Sequence, residues 1–278
     1  MPDELPHGPI GVFDSGYGGL TVLRDLRRAL PDADFLYLGD NARAPYGTRS
    51  FELVYEFTLQ AVRYLFSRGC PLVILACNTA SAKALRSIQQ NDLPLLAPSR
   101  RVLGVIRPTV EALSDYTRTG AVGLFGTPGT VASGSYDMEI AKLHPDMRLY
   151  AHACPMWVPL VEYRESDGDG ADYFVRRDIE ALTAMSPDID TVILGCTHYP
   201  LLIDKIRKYM PEGISVVTQG EIVAHSLTDY LRRHTDIEAA ITRHGTTEYL
   251  TTENAAKFAD MACVFMGAPV SAKRIELV

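Results

Sequence analysis

Two cysteines stand where a short apolar run gives way to residues that start a helix: Cys77 in LACNTAS (75–81) and Cys196 in TVILGCTHYPLL (191–202). Open parallel sheets bind ligands outside the carboxyl ends of their strands, and both thiols sit at such an end. A helix start supplies free N–H groups and partial positive charge, which lower a thiol pKa from about 8.5 toward neutrality. Asn78 or Thr79 is expected to cap the helix after Cys77, and Pro200 to open the one after Cys196. Two thiols of this kind can exchange protons with a ligand from opposite sides. Taken singly, each also reads as core filling, since free cysteine is among the most buried residue types. Cys70, Cys154 and Cys263 lack this context and read as packing.

Other groups fall around the same junctions. FDSGYGGLTV holds Asp14 and Ser15 before a glycine turn. It fails the dinucleotide fingerprint, because Thr21 occupies the third glycine position, and it has no lysine for a phosphate-binding loop. What remains is a turn whose N–H groups and Ser15 hydroxyl hold a carboxylate beside Asp14 as acid or base, or simply a capped turn. Thr127 and Thr130 in FGTPGTVASGSY punctuate a matching turn and look like the other wall of a site. Tyr46 and Gly47 lie in DNARAPYGTRS, either a plain turn or a lid. His198 tunes the neighbouring thiol or a bound ammonium, or is structural. Glu162 sits in the apolar stretch PMWVPLVEY, and the acidic, glycine-rich residues after it read as a mobile loop. No HExxH, DxD or paired-histidine spacing is present, so no metal is expected, and no flavin or nucleotide motif passes.

The elements that must position these groups are short Val/Ile/Leu runs alternating with amphipathic segments, the pattern of an α/β chain with parallel sheets. PIGVF, DFLYLG and LVILA read as strands, and Leu20, Leu23, Leu26 and Leu30 mark a helix. The pattern then repeats. IGVF is echoed by VGLF, PDADFLY by PDMRLY, and LVILACNTAS by TVILGCTHYP, at offsets of 112 (Gly11 to Gly123), 114 (Pro31 to Pro145) and 119 (Cys77 to Cys196). Two similarly built halves follow, with the site in the cleft between them. Residues 1–101 plus 217–278 are expected to form the domain carrying Cys77, the ISVVT strand included, and residues 102–216 the domain carrying Cys196.

Bulk properties narrow the classes. The 278 residues suffice for a sizeable core, 47% are hydrophobic, and the net charge is -7 with basic residues scattered. A nucleic-acid partner is therefore not expected. No apolar run reaches the ~18 residues that span a bilayer, and MPDELPHGPIGVFD lacks a basic leader, so a cytoplasmic, membrane-free protein is expected. Five well-separated cysteines argue for free thiols. The residues alone leave three readings open: inversion at a carbon by two thiols, a cysteine hydrolase or amidase with one nucleophile activated by His198, and a two-lobed carboxylate-binding protein.

FDSGYGG, ARAPYG, ACNTAS, GTPGTV and GCTHYPLL, in that order over nearly the whole chain, resemble the cofactor-independent glutamate racemases of bacterial cell-wall synthesis, within the aspartate/glutamate racemase group. The resemblance implies two α/β domains, interconversion of L- and D-glutamate without pyridoxal phosphate or metal, delivery of D-glutamate to peptidoglycan precursors, and a homodimer. It implies Cys77 and Cys196 as proton donor/acceptors, serving the D- and L-enantiomer respectively, with Asp14 and His198 assisting. Asp14-Ser15, Tyr46-Gly47, Asn78-Thr79 and Thr197-His198 match its substrate-binding positions. Aspartate racemases are similar in plan, but CNTAS and CTHYP look more like the glutamate enzymes. Thr218-Gln219 departs from the Asp-Ser or Asp-Pro start usual there.

Overall fold

The Val/Ile/Leu runs are buried on both faces, as strands sandwiched between helices must be. The computed structural model describes residues 5–277. Its strands are β1 (Ile10–Asp14), β2 (Phe35–Gly39), β3 (Leu72–Leu75), β4 (Arg101–Gly104), β5 (Ala121–Gly126), β6 (Arg148–Ala153), β7 (Thr191–Gly195), β8 (Ser215–Val217), β9 (Thr247–Thr251) and β10 (Ala272–Arg274). They form two sheets, in the orders β10-β9-β2-β1-β3-β4 and β6-β5-β7-β8. All the pairings are parallel.

The second sheet repeats β2-β1-β3-β4 strand for strand, and the C-terminal strands β9 and β10 extend the first sheet beyond β2. The protein is thus α/β, with two similar parallel sheets. Two strands fall outside the expected boundaries. Arg101–Gly104 pairs with β3 and stays in the first sheet past residue 101. The ISVVT run supplies β8, which pairs with β7 in the second sheet and not in the first. Each is the edge strand that completes its own half, a pairing that offset counting alone does not resolve.

Helices cover both sheets. Leu20–Ala29 buries Leu20, Val22, Leu23 and Leu26 and ends in Arg27 and Arg28, whose charge suits a helix C-terminus. Phe51–Ser67 starts at Ser50, whose Oγ accepts from the Leu53 N–H. In the second half, Trp157 is fully buried between Phe125 and Tyr199, with both ring centroids 4.8 Å away. The Tyr199 hydroxyl donates to the Cys154 carbonyl at 3.1 Å. This aromatic stack fixes the end of β7. Among the described residues no helix is long and apolar enough to cross a membrane.

Candidate active site

The carboxyl ends of β1, β3, β5 and β7 meet where the two halves touch. Glycines permit the closest approaches. A Cβ at Gly18 would stand 2.2 Å from Thr197 Oγ1 and 2.5 Å from His198 Nδ1, and one at Gly47 would stand 2.8 Å from Thr127 Cβ. The turn after β1 is further tied to the opposite half by Thr21, whose Oγ1 donates to the Thr197 carbonyl at 3.1 Å.

Cys77 follows β3 and is itself the cap of the Asn78–Lys83 helix, its sulfur accepting from the Ala80 N–H at 3.5 Å. The expected cap at Asn78 or Thr79 is therefore displaced by one or two residues, because the helix begins directly after the thiol. The sulfur also lies 3.5 Å from Ser15 Oγ, to which it donates. Its acidity departs from expectation. Burial first, then the nearby Asp14 carboxylate, push the Cys77 thiol up to about 12, and the hydrogen bonds it shares with Ala80 and Ser15 offset only part of this. A single helix-start N–H does not outweigh removal from water, so Cys77 is protonated at neutral pH.

Cys196 follows β7 and precedes a single 3-10 turn, Tyr199–Leu202, in which Pro200 takes an opening position. The second thiol therefore lacks the α-helix start expected for it; that helix begins only at Ile203. An imidazole takes the place of the helix end. Cys196 Sγ is 3.9 Å from His198 Nδ1, and His198 Nε2 is 3.0 Å from Glu162 Oε1. Burial alone would push the ring's pKa down, but hydrogen bonds and charge from Cys196 and Glu162 outweigh it and raise His198 to about 10. His198 is thus an imidazolium at neutral pH, held between a sulfur and a carboxylate. Phe265 closes its edge, ring centroids 5.5 Å apart.

Glu162 ends the Trp157–Glu162 helix, with its side chain 26% exposed. The expected loop after it is short, covering 163–168. A helix spans Asp169–Thr183, its first turn carrying Asp169 and Asp172, so the acids sit where the helix dipole favours them.

Asp14, at the end of β1, is fully buried. Its Oδ1 accepts from the Gly16 N–H at 2.8 Å, and its Oδ2 accepts from Thr197 Oγ1 of the opposite half at 3.3 Å. Burial raises its pKa, opposed by the His198 charge and these hydrogen bonds. Asp14 is therefore a carboxyl whose proton affinity is lifted toward that of a general acid/base, next to one thiol and bonded to the residue after the other.

Three threonine hydroxyls form a ring across the halves. Thr79 Oγ1 is 3.0 Å from Thr127 Oγ1 and 3.2 Å from Thr130 Oγ1, and the latter two are 3.0 Å apart. Tyr46 is buried and donates to Asp40 Oδ2 at 2.5 Å, which also accepts from Arg43 Nε at 2.7 Å. The DNARAPYG segment is thus a turn wound on Asp40, its Gly47 placed against Thr127. Asn78 is tied down by groups that sequence patterns did not single out for the site. Its Nδ2 donates to Gln219 Oε1 at 2.6 Å and its Oδ1 accepts from the Tyr136 hydroxyl at 2.7 Å. Gln219 Nε2 donates in turn to Tyr136 Oη and Thr109 Oγ1, both at 2.9 Å. Thr218-Gln219, the departure from the usual pattern, is where this buried network is anchored.

Comparison with known proteins points to one family. The Asp/Glu/hydantoin racemase family model matches residues 10–227. A curated glutamate racemase of Roseobacter denitrificans is 43% identical over 269 residues, covering 92% of this chain and 96% of that protein. Among solved structures, a Bacillus anthracis glutamate racemase superposes with a TM-score of 0.88 at 35% identity, covering 98% of both chains. A Francisella tularensis glutamate racemase in complex with D-glutamate superposes with a TM-score of 0.86 at 29% identity, again over 98% of both chains. With paired strand-end thiols in repeated sheets and relatives of this kind along its length, the chain belongs to the Asp/Glu/hydantoin racemase family and is an amino-acid racemase.

Proposed function

We propose that this chain interconverts L- and D-glutamate with two thiols, Cys77 serving the D-enantiomer and Cys196 the L-enantiomer. The observation that carries the reading is the equivalence of the two cysteines: each ends the third strand of a four-strand unit, in halves that meet at the site. Removing the α-proton from one face and returning one to the other inverts the carbon.

The surroundings differ in a way that supports a different opening step in each direction. From the L side, Cys196, with the His198 ring at its sulfur, takes the α-proton while the protonated Cys77 delivers one to the opposite face. From the D side, Cys77 must first lose its proton, and the buried Asp14 is the neighbouring base of raised proton affinity. Charge growing on the α-carboxylate would meet the Ser15 hydroxyl and the backbone N–H groups of Asn78, Thr79 and Thr197, donors worth about 3 kcal/mol each when well placed. Thr79, Thr127 and Thr130 offer hydroxyls to the distal carboxylate, with Tyr46-Gly47 and Asn78 shaping that wall. No metal or pyridoxal group enters this scheme. The relatives' names support glutamate as substrate, and the resemblance supports cytoplasmic delivery to peptidoglycan precursors by a homodimer.

The deciding experiment incubates L-glutamate with the protein in heavy water without added cofactor. Two separate proton carriers predict that D-glutamate appears already deuterated at Cα while the remaining L-glutamate gains deuterium only slowly. Retention of the original proton in the product would overturn the two-thiol mechanism. Inversion of aspartate and not glutamate would overturn the substrate.

A further inference from the structure

Three further side chains, of different metal-binding types, converge. His152 on β6, Cys154 directly after β6, and Asp178 on the Asp169–Thr183 helix bring an imidazole nitrogen, a sulfur and a carboxylate oxygen within 4.8 Å of one another. His152 Nε2 is 3.3 Å from Asp178 Oδ1. Arg177 donates to that same oxygen from Nε and Nη2, at 2.9 and 2.7 Å. The second oxygen, Oδ2, is buried without a hydrogen-bond partner, on a side chain only 1% exposed.

That orphan oxygen is the informative feature. The ion pair with Arg177 accounts for Oδ1 and leaves Oδ2 in surroundings where an unmet acceptor costs free energy. We infer that His152, Cys154 and Asp178 form a binding site for a borderline-soft divalent cation of the zinc type, with water in the fourth position. Thiolate, imidazole and carboxylate are the donors such an ion selects, and tetrahedral coordination needs them about 3.3–3.8 Å apart, a small contraction from the observed spread. Two anionic ligands match the charge of the ion, and Arg177 retains Oδ1. The His152 side chain, 21% exposed, gives the ion its way in.

Cys154 is a free thiol, and a divalent cation binds the thiolate. Binding breaks the S–H bond, forms the S–metal bond and releases that proton to solvent, with no change of oxidation state. The ion's place in the fold gives it a bracing role: the Cys154 carbonyl accepts from Tyr199, three residues beyond Cys196.

Cobalt(II), titrated into the metal-stripped protein, tests the site. One equivalent should produce a near-ultraviolet thiolate-to-cobalt charge-transfer band, visible bands of tetrahedral intensity, and release of one proton per cobalt. Cys154→Ser should abolish the charge-transfer band, and Asp178→Asn should weaken binding at least about tenfold. The doubly substituted Cys77→Ser/Cys196→Ser protein should keep the band. Should Cys154→Ser fail the circular-dichroism check for folding, the partly exposed His152→Gln replaces it and should also weaken binding at least about tenfold. A band that survives Cys154→Ser and disappears with the cleft thiols, or no band with the unaltered protein, overturns the assignment.

Discussion

Glu162 Oε1 lies 3.0 Å from His198 Nε2, and the other nitrogen of that ring lies 3.9 Å from the sulfur of Cys196. One thiol therefore has a charged relay behind it, while Cys77 has only Ser15, a helix N–H and the buried Asp14. Glu162→Gln should therefore lower kcat from L-glutamate by about 10- to 100-fold and lower the His198 pKa. Progress curves by polarimetry, with imidazole resonances followed by NMR, check both effects. An unmoved His198 titration would remove Glu162 from the relay.

His198 also makes stability depend on pH, with a definite sign. Its folded pKa, about 10, exceeds the ordinary 6.5, so the folded state binds the proton more tightly than the unfolded chain. The resulting stabilisation is fully present below about 6.5 and is lost as pH rises toward about 10. Denaturant midpoints of the protein and of His198→Gln should thus differ most near pH 6 and converge near pH 10.

Cys77→Ser and Cys196→Ser should each remove racemisation, by roughly a thousandfold or more, because a hydroxyl of much higher pKa cannot serve as the base. Chiral chromatography of products from both enantiomers is the readout. The hydrolase alternative requires only one essential thiol, so near-normal turnover by Cys77→Ser would favour it.

Gly18→Ala places a methyl group 2.2 Å from Thr197 Oγ1. Overpacking of this sort costs about 1–3 kcal/mol. Because the clash falls between the halves and beside the thiol loop, kcat/KM should fall by a larger factor than the shift in thermal midpoint implies.

Gln219→Leu leaves Asn78, Tyr136 and Thr109 without a partner they now share. A loss of about 2–3 kcal/mol in chemical denaturation is expected. Gln219→Glu, which keeps the acceptor for Asn78 and loses the donors, should fall between.

The parallel strands and their repetition were legible because fully buried strands spell themselves out as apolar runs, and because IGVF and VGLF keep the same neighbours. Both thiols, Asp14 and His198 were legible for a related reason: they sit next to those runs in the chain. Glu162 was visible only as an acid in an apolar stretch, since its partner is 36 residues away and is met only in the fold. Tyr136 and Thr109 gave no local signal, and Gln219 showed only as a departure from the usual pattern; three separate elements bring them together. The acidity of Cys77 was misjudged because a helix start is a local feature and desolvation is not. The strand after residue 213 was assigned to the wrong sheet because its short apolar run names no partner.

The repeated four-strand order has a last consequence. Enantiomers have equal free energy in water, so the equilibrium constant of a racemisation is unity, and kcat/KM must be the same in both directions. The imidazolium behind one thiol and the aspartate behind the other cannot alter that ratio. They can only decide how the shared value divides between turnover and saturation on each side: two repeated halves with unlike linings set two different working concentrations.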